Sequence, residues 1–301
     1  SKLKGKKGTK VNISVLRDRE NEPFDLTLVR DIVRVQSVTS RVEGDFGYIR
    51  VSAFTEQTKS GLNKALNELE KEIPGGPKGL VLDLRSNPGG LLDQAVAVSD
   101  MFMSGGEIVS TRGRRPRDTM REMGTPGDKF DGKPIIVLIN GGSASASEIV
   151  AGAMQDRNRA LVLGTKSFGK GSVQTVIPLQ NGLQGALRLT TQRYYTPSGR
   201  SIQAHGIDPD IEMPVIYPGQ DELAERREEK DLPNALDVTE GEEEAVADAT
   251  EESPKVEPFL CSFEEDGTTP VDCQLNRALE ILADATVYSS ALADAGAARI
   301  E

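Results

Sequence analysis

Pro134-Ile135-Ile136-Val137-Leu138-Ile139 runs without a break into Asn140-Gly141-Gly142-Ser143-Ala144-Ser145-Ala146-Ser147-Glu148. A continuous apolar run of this length, bounded by Pro and Gly, reads as a parallel strand covered on both faces rather than an amphipathic strand with one wet face. The two glycines end it, and Ser145-x-x-Glu148 opens a helix that extends to about Asp156. Outward from this unit the pattern repeats. Tyr48–Phe54 reads as a strand, and Leu62, Leu66, Leu69 and Ile73 recur at helical spacing until Pro74 and Gly75. Gly79–Leu84 is a second buried strand; Asn87-Pro88-Gly89-Gly90 turns into a helix carrying Leu91, Ala95, Val98 and Phe102. Leu161–Gly164 is another strand, and Val173–Leu179 with Ala186–Tyr195 reads as an antiparallel pair joined at Asn181-Gly182. Alternating strands and helices imply an α/β protein.

Composition agrees. The chain has 301 residues, of which 37% are hydrophobic and only 4% aromatic, with no Trp, so Val, Ile, Leu and Ala must fill the core. Few aromatics also argue against a base-stacking surface, and nucleic acid is not an expected partner. The net charge of -11 is concentrated: residues 219–252 hold 14 acids and 3 bases, which leaves the remainder balanced at 33 of each. That acidic run reads as a solvated linker. No stretch approaches the roughly 20 apolar residues of a membrane span. Cys261 and Cys273 fit neither a zinc site nor a CxxC motif; a local disulfide in an oxidising compartment and two free thiols are both open.

Three segments could carry chemistry. The bend at Ser145 places a small hydroxyl at the start of a helix, where unpaired N–H groups can hold an anion; capping the helix is its alternative role. Gly164-Thr165-Lys166-Ser167-Phe168-Gly169-Lys170-Gly171 lacks the Ser or Thr that a phosphate-binding loop needs after its lysine. A lysine between two glycines can instead approach another backbone and lose water, and burial favours the neutral amine that a general base requires; a solvated loop lysine is the alternative. Asn87-Pro88-Gly89-Gly90 leaves backbone amides unobstructed, as an oxyanion hole requires, although such turns are also common structural elements. His205 is the only histidine, so a Ser-His-Asp triad would depend wholly on it, and no His/Cys cluster suggests a metal.

Taken in order, Asp83-Leu84-Arg85-Ser86-Asn87-Pro88-Gly89-Gly90, Ser143-Ala144-Ser145-Ala146-Ser147-Glu148-Ile149, Phe168-Gly169-Lys170-Gly171-Ser172-Val173-Gln174 and Gly206-Ile207-Asp208-Pro209-Asp210 resemble the successive signatures of the carboxy-terminal processing, or tail-specific, serine peptidases. The resemblance spans about Phe46 to Pro214. It implies an ATP-independent endopeptidase with Ser145 as nucleophile, Lys170 as base and Gln174 holding the lysine. Ala146 and either Gly89 or Gly90 would supply the oxyanion-hole N–H groups. Asp156 matches a position implicated in some relatives, with a structural role as its alternative.

The resemblance further implies a ClpP/crotonase-like core at 36–215, preceded by the last part of a PDZ-like domain at 1–35, and followed by the acidic linker at 216–258 and a helical segment at 259–301. Protein or peptide substrates with free C-termini, no cofactor and a location in the bacterial cell envelope, in the periplasm, belong to the same expectation. So do self-association or an adaptor partner, and membrane association through a segment outside these residues. A catalytically silent peptide-binding adaptor and acyl-CoA chemistry on a crotonase-like fold are the competing readings.

Overall fold

The computed structural model describes residues 2–17, 22–32, 36–180, 184–219, 227–233, 235–236 and 256–299. Two compact units divide at Gln36. In the first, β1 (Lys10–Val15) and β2 (Phe24–Val29) form an antiparallel hairpin, with Val11 opposite Leu28 and Ile13 opposite Leu26. Leu26, Leu28 and Val29 stand exposed.

The second unit is built on a six-stranded sheet. β3 (Val38–Glu43) pairs antiparallel with β4 (Phe46–Val51), after which β5 (Leu80–Asp83) and then, beyond two further strands, β8 (Ile135–Ile139) and β9 (Leu161–Gly164) continue in parallel; the short β12 (Ile211–Glu212) closes the far edge. Helices α1 (Thr58–Glu72), α2 (Leu92–Asp100) and α3 (Ala146–Asp156) make the crossovers. A smaller antiparallel sheet has the order β10 (Ser172–Pro178), β11 (Ala186–Tyr195), β6 (Gly106–Gly113) and β7 (Met120–Gly124). The turn expected at Asn181-Gly182 lies outside the described residues, as does most of the acidic run.

Side chains of β8 alternate between two cores. Ile135, Val137 and Ile139 pack with Leu62, Leu69, Val98, Ile149 and Met154 from α1–α3 and with Phe102 just after α2. Ile136 and Leu138 point the other way, toward Leu275, Ala278, Ile281, Leu282 and Tyr288. These belong to α4 (Cys273–Ala283) and α5 (Ala285–Ala298), so the terminal helical segment forms the third layer of the sheet instead of standing apart from it. Tyr288 fastens that layer to the strand: its hydroxyl accepts the Ile135 N–H and donates to the Ile135 carbonyl, both at 3.1 Å. Cys261 and Cys273 are joined in a disulfide at the start of α4. Just before α4, Asp272 caps the helix by accepting the Leu275 N–H. The described part of the acidic segment includes a short turn at Glu229–Asp231, whose Glu229 N–H donates to the Phe168 carbonyl at 2.9 Å.

Because Ile281 is buried against β8, Ile281→Ala should destabilise the chain by about 2–5 kcal/mol, the range for emptying a core site. Urea unfolding measures it; a loss below about 1 kcal/mol would mean that α4 is not an integral layer.

Candidate active site

The carboxyl ends of adjacent parallel strands are where open α/β sheets place their sites. Here β9, β8 and β5 are neighbours in that order, and their ends deliver the lysine loop, the serine bend and the glycine turn side by side. The serine bend sits in the middle.

Three serines follow one another at every second position of that bend, and the fold gives them different tasks. Ser143 is buried; its Oγ donates to the Leu84 carbonyl at 2.8 Å and accepts the Asn140 N–H at 3.0 Å. Ser147 is buried too, its Oγ donating to the Asn87 carbonyl at 2.9 Å. Ser145 alone of the three is partly accessible. Its backbone has φ 56° and ψ -110°, a left-handed conformation that a non-glycine residue adopts only when its surroundings impose it. That bend turns the chain from β8 into α3 at Ser145.

The Asn87–Gly90 turn is locked to the same bend. Asn87 is buried, donates from Nδ2 to the Val51 carbonyl at 2.8 Å and accepts the Gly89 N–H on Oδ1 at 2.9 Å, while its carbonyl accepts the Ala144 N–H at 2.9 Å. Gly89 has φ +95°, and a Cβ there would lie 2.6 Å from the Ala144 carbonyl oxygen and 2.9 Å from the Ala146 nitrogen. Only glycine allows this approach to the serine. At Gly90, φ +148°, a Cβ would run into the Phe54 carbonyl at 2.0 Å. Both glycines are therefore required, for different contacts. The Gly89 N–H is already engaged by Asn87, whereas no hydrogen bond of the Gly90 N–H is found among the described residues.

Lys170 is half-buried on the loop after β9. Phe168 N–H donates to the Ser143 carbonyl at 3.0 Å, which seats this loop on the serine bend. Beneath them lies Glu148, 1% exposed. Its Oε2 accepts the Ser145 N–H at 2.7 Å and the Lys170 N–H at 2.9 Å; its Oε1 accepts the Gly169 N–H at 2.6 Å and the Ser167 hydroxyl at 2.5 Å. The backbone nitrogens of Ser145 and Lys170 can thus be no farther apart than two hydrogen bonds laid end to end. Between the two side chains themselves, no hydrogen bond is present among the described residues.

Gln174 is not brought to Lys170. It lies exposed at a bulge in β10, and no hydrogen bond to the lysine is found among the described residues. Lys170 precedes β10, whereas Gln174 lies within it at the register shift. Asp156 is remote from the bend, at the far end of α3, where it pairs with Arg200 at 2.5 Å and accepts the Ser198 N–H at 2.9 Å.

Burial pushes the Glu148 carboxyl up to about 7, against the opposing pull of its hydrogen bonds from Ser167, Gly169, Ser145 and Lys170. A raised carboxyl means that the folded chain binds more protons than the unfolded chain between about 4.5 and about 7, so stability falls as pH rises through that window and is fully present below it. Across that interval the parent should lose up to roughly 3 kcal/mol relative to Glu148→Gln in urea unfolding. Identical pH dependence of the two proteins would refute the shift.

The segment that carries this geometry is similar to known proteins. Residues 45–213 match the profile of peptidase family S41. The chain is 57% identical over 224 residues to a carboxy-terminal-processing protease of Bartonella bacilliformis, covering 73% of this chain and 51% of the relative. It is 35% identical over 223 residues to a carboxyl-terminal-processing protease of Synechocystis, covering 72% and 51%. Among solved structures, a photosystem II D1 C-terminal processing protease superposes with a TM-score of 0.53 at 31% identity, covering 69% of this chain and 56% of that one. The chain thus spans about half the length of the curated relatives it matches.

Proposed function

The chain belongs to peptidase family S41, and from that premise we propose that it is a serine endopeptidase working through Ser145 and Lys170, without ATP, on protein substrates near their C-termini. The observation that carries the proposal is the convergence at three neighbouring strand ends of one accessible serine, one half-buried lysine and a glycine turn pressed against the serine. Ser145 Oγ attacks the scissile carbonyl while neutral Lys170 Nζ takes its proton. The tetrahedral oxyanion is held by backbone N–H groups, with Ala146 at the helix start and Gly90 on the facing turn as the donors; Gly89 would serve only if Asn87 released it. Collapse expels the amine, which receives the proton from Lys170. Water, deprotonated by the same lysine, then releases the acyl group and restores the serine.

Gln174 would support the lysine by a hydrogen bond that is not found among the described residues, and the lack among them of a hydrogen bond between the Ser145 and Lys170 side chains favours a second reading, a catalytically silent peptide-binding adaptor. The hairpin β1–β2 suits the last part of a PDZ-like domain, and the second unit a ClpP/crotonase-like core, under either reading. The Cys261–Cys273 disulfide supports an oxidising compartment, in keeping with a location in the bacterial envelope.

Incubation with unfolded casein separates the two readings. The parent should cleave it and react with a fluorophosphonate at Ser145, and Ser145→Ala and Lys170→Ala should each lower turnover by at least about a thousandfold. Binding of casein without cleavage by the parent would favour the adaptor.

A further inference from the structure

Helix capping accounts for only one of the four hydrogen bonds that Glu148 receives. A carboxylate three residues into a helix needs to reach back to the N-cap N–H, here that of Ser145. The other three donors, the Ser167 hydroxyl and the N–H groups of Gly169 and Lys170, belong to a different loop at the end of a different strand. Three of the four donors are main-chain groups, which cannot turn to accept. An amide in place of the carboxylate would confront at least one of these donors with its own N–H. Protonation leaves one alternative: the acid can donate from Oε1 to Ser167 Oγ, which already accepts the Ile207 N–H at 2.7 Å, but its bonds from the backbone amides are then weaker.

We propose that Glu148 is a positioning residue for the Ser145–Lys170 reaction, its carboxylate fixing the spacing of the two backbone segments from which nucleophile and base project. This rests on the Ser-Lys reading above. The site depends on that spacing because Ser145 and Lys170 lie on separate loops and a misplacement of about 1 Å can cost on the order of a hundredfold in rate. The surrounding charges are Lys170 itself, Lys166, which is paired with Asp208 at 3.2 Å, and His205 on the turn whose neighbours Ala204 and Gly206 pack against Gly169 and Ser167. Among the described groups, Ser167 is the one side chain that bonds the carboxylate directly. Removing its hydroxyl takes away a donor that favours the ionised form, so Ser167→Ala should move the ionisation of Glu148 to higher pH.

The test measures kcat and KM on casein from pH 5 to 9 for the parent, Glu148→Gln, Ser167→Ala and the Ser145→Ala control, with circular dichroism melting of each. Glu148→Gln should remain folded and lose about a hundredfold in kcat, with KM within about threefold of the parent. Ser167→Ala should lower kcat by about tenfold and shift the acid limb of its pH profile upward. A folded Glu148→Gln protein with parental kcat, or with only KM raised, overturns the inference. Should Glu148→Gln fail to fold, Ser167→Ala decides: an unchanged kcat and acid limb overturn it equally. Cleavage that survives Ser145→Ala sinks the Ser-Lys reading itself, whereas a silent control combined with an unaffected Glu148→Gln enzyme sinks only the role of Glu148.

Discussion

Burial of β8 on both faces governs the rest of the molecule. A parallel strand with Ile135, Val137 and Ile139 on one side and Ile136 and Leu138 on the other cannot be satisfied by a single helical layer. The chain therefore supplies α1–α3 for one face and, more than 100 residues downstream, α4 and α5 for the other. Parallel pairing then aligns the carboxyl ends of β5, β8 and β9. Loops of no intrinsic likeness are forced to meet at one edge, and the serine, lysine and glycine segments are neighbours for that reason alone.

Meeting at that edge brings backbone into places without water, where every amide must find a partner. Asn87 and Glu148 answer the need from opposite sides of the serine bend, Asn87 on the glycine turn and Glu148 on the lysine loop. Ser143 and Ser147 complete the lattice through the carbonyls of Leu84 and Asn87. Ser145 is then left in a left-handed bend with its side chain partly accessible. A buried carboxylate costs stability at neutral pH, and its persistence at the junction of the two loops fits a site whose geometry is maintained against that cost.

Much of this was legible in the residues. The apolar run at 134–139, the helical spacing of Leu62, Leu66 and Leu69, and the Gly-rich ends of the strands identify the parallel α/β unit because periodicity and chain breakers act locally. β3 escaped because Val38-Thr-Ser-Arg-Val-Glu43 lies at a sheet edge and alternates poorly, and β7 because Met120-Arg-Glu-Met-Gly124 sits in a polar stretch. α5 is largely alanine, without the stripe of large residues that marks α4. Periodicity cannot say which of three serines is accessible, nor that Gly89 faces Ser145 while Gly90 faces Phe54; both facts come from contacts between segments far apart in sequence. Glu148 was visible only as a cap, since its other donors lie about 20 residues further along. Gln174 rests on the family resemblance alone, and a sequence already read as a strand there does not say whether the fold brings its side chain to the lysine.

Buried contacts also reach past the segment that matches the family. At the end of β5, Asp83 is fully buried and accepts the Tyr48 hydroxyl at 2.7 Å and the Arg85 guanidinium at 2.7 Å. Arg85 extends to Asp272 at 2.6 Å, the residue that caps α4 beside the disulfide. Burial alone would push the Arg85 guanidinium toward losing its proton, and the hydrogen bonds to Asp272 and Asp83 outweigh it and hold the charge more firmly than usual. Removing one member of such a buried set strands the charge of another, so these groups hold their places together. Arg85 stands two residues before Asn87, whose side chain and carbonyl organise both the glycine turn and the serine bend. Charged contacts therefore join the C-terminal layer to the end of β5, two residues before the turn that packs against the serine bend. Through them α4, which lies beyond the matched residues 45–213, is tied to the strand whose end carries the glycine turn as well as covering the sheet.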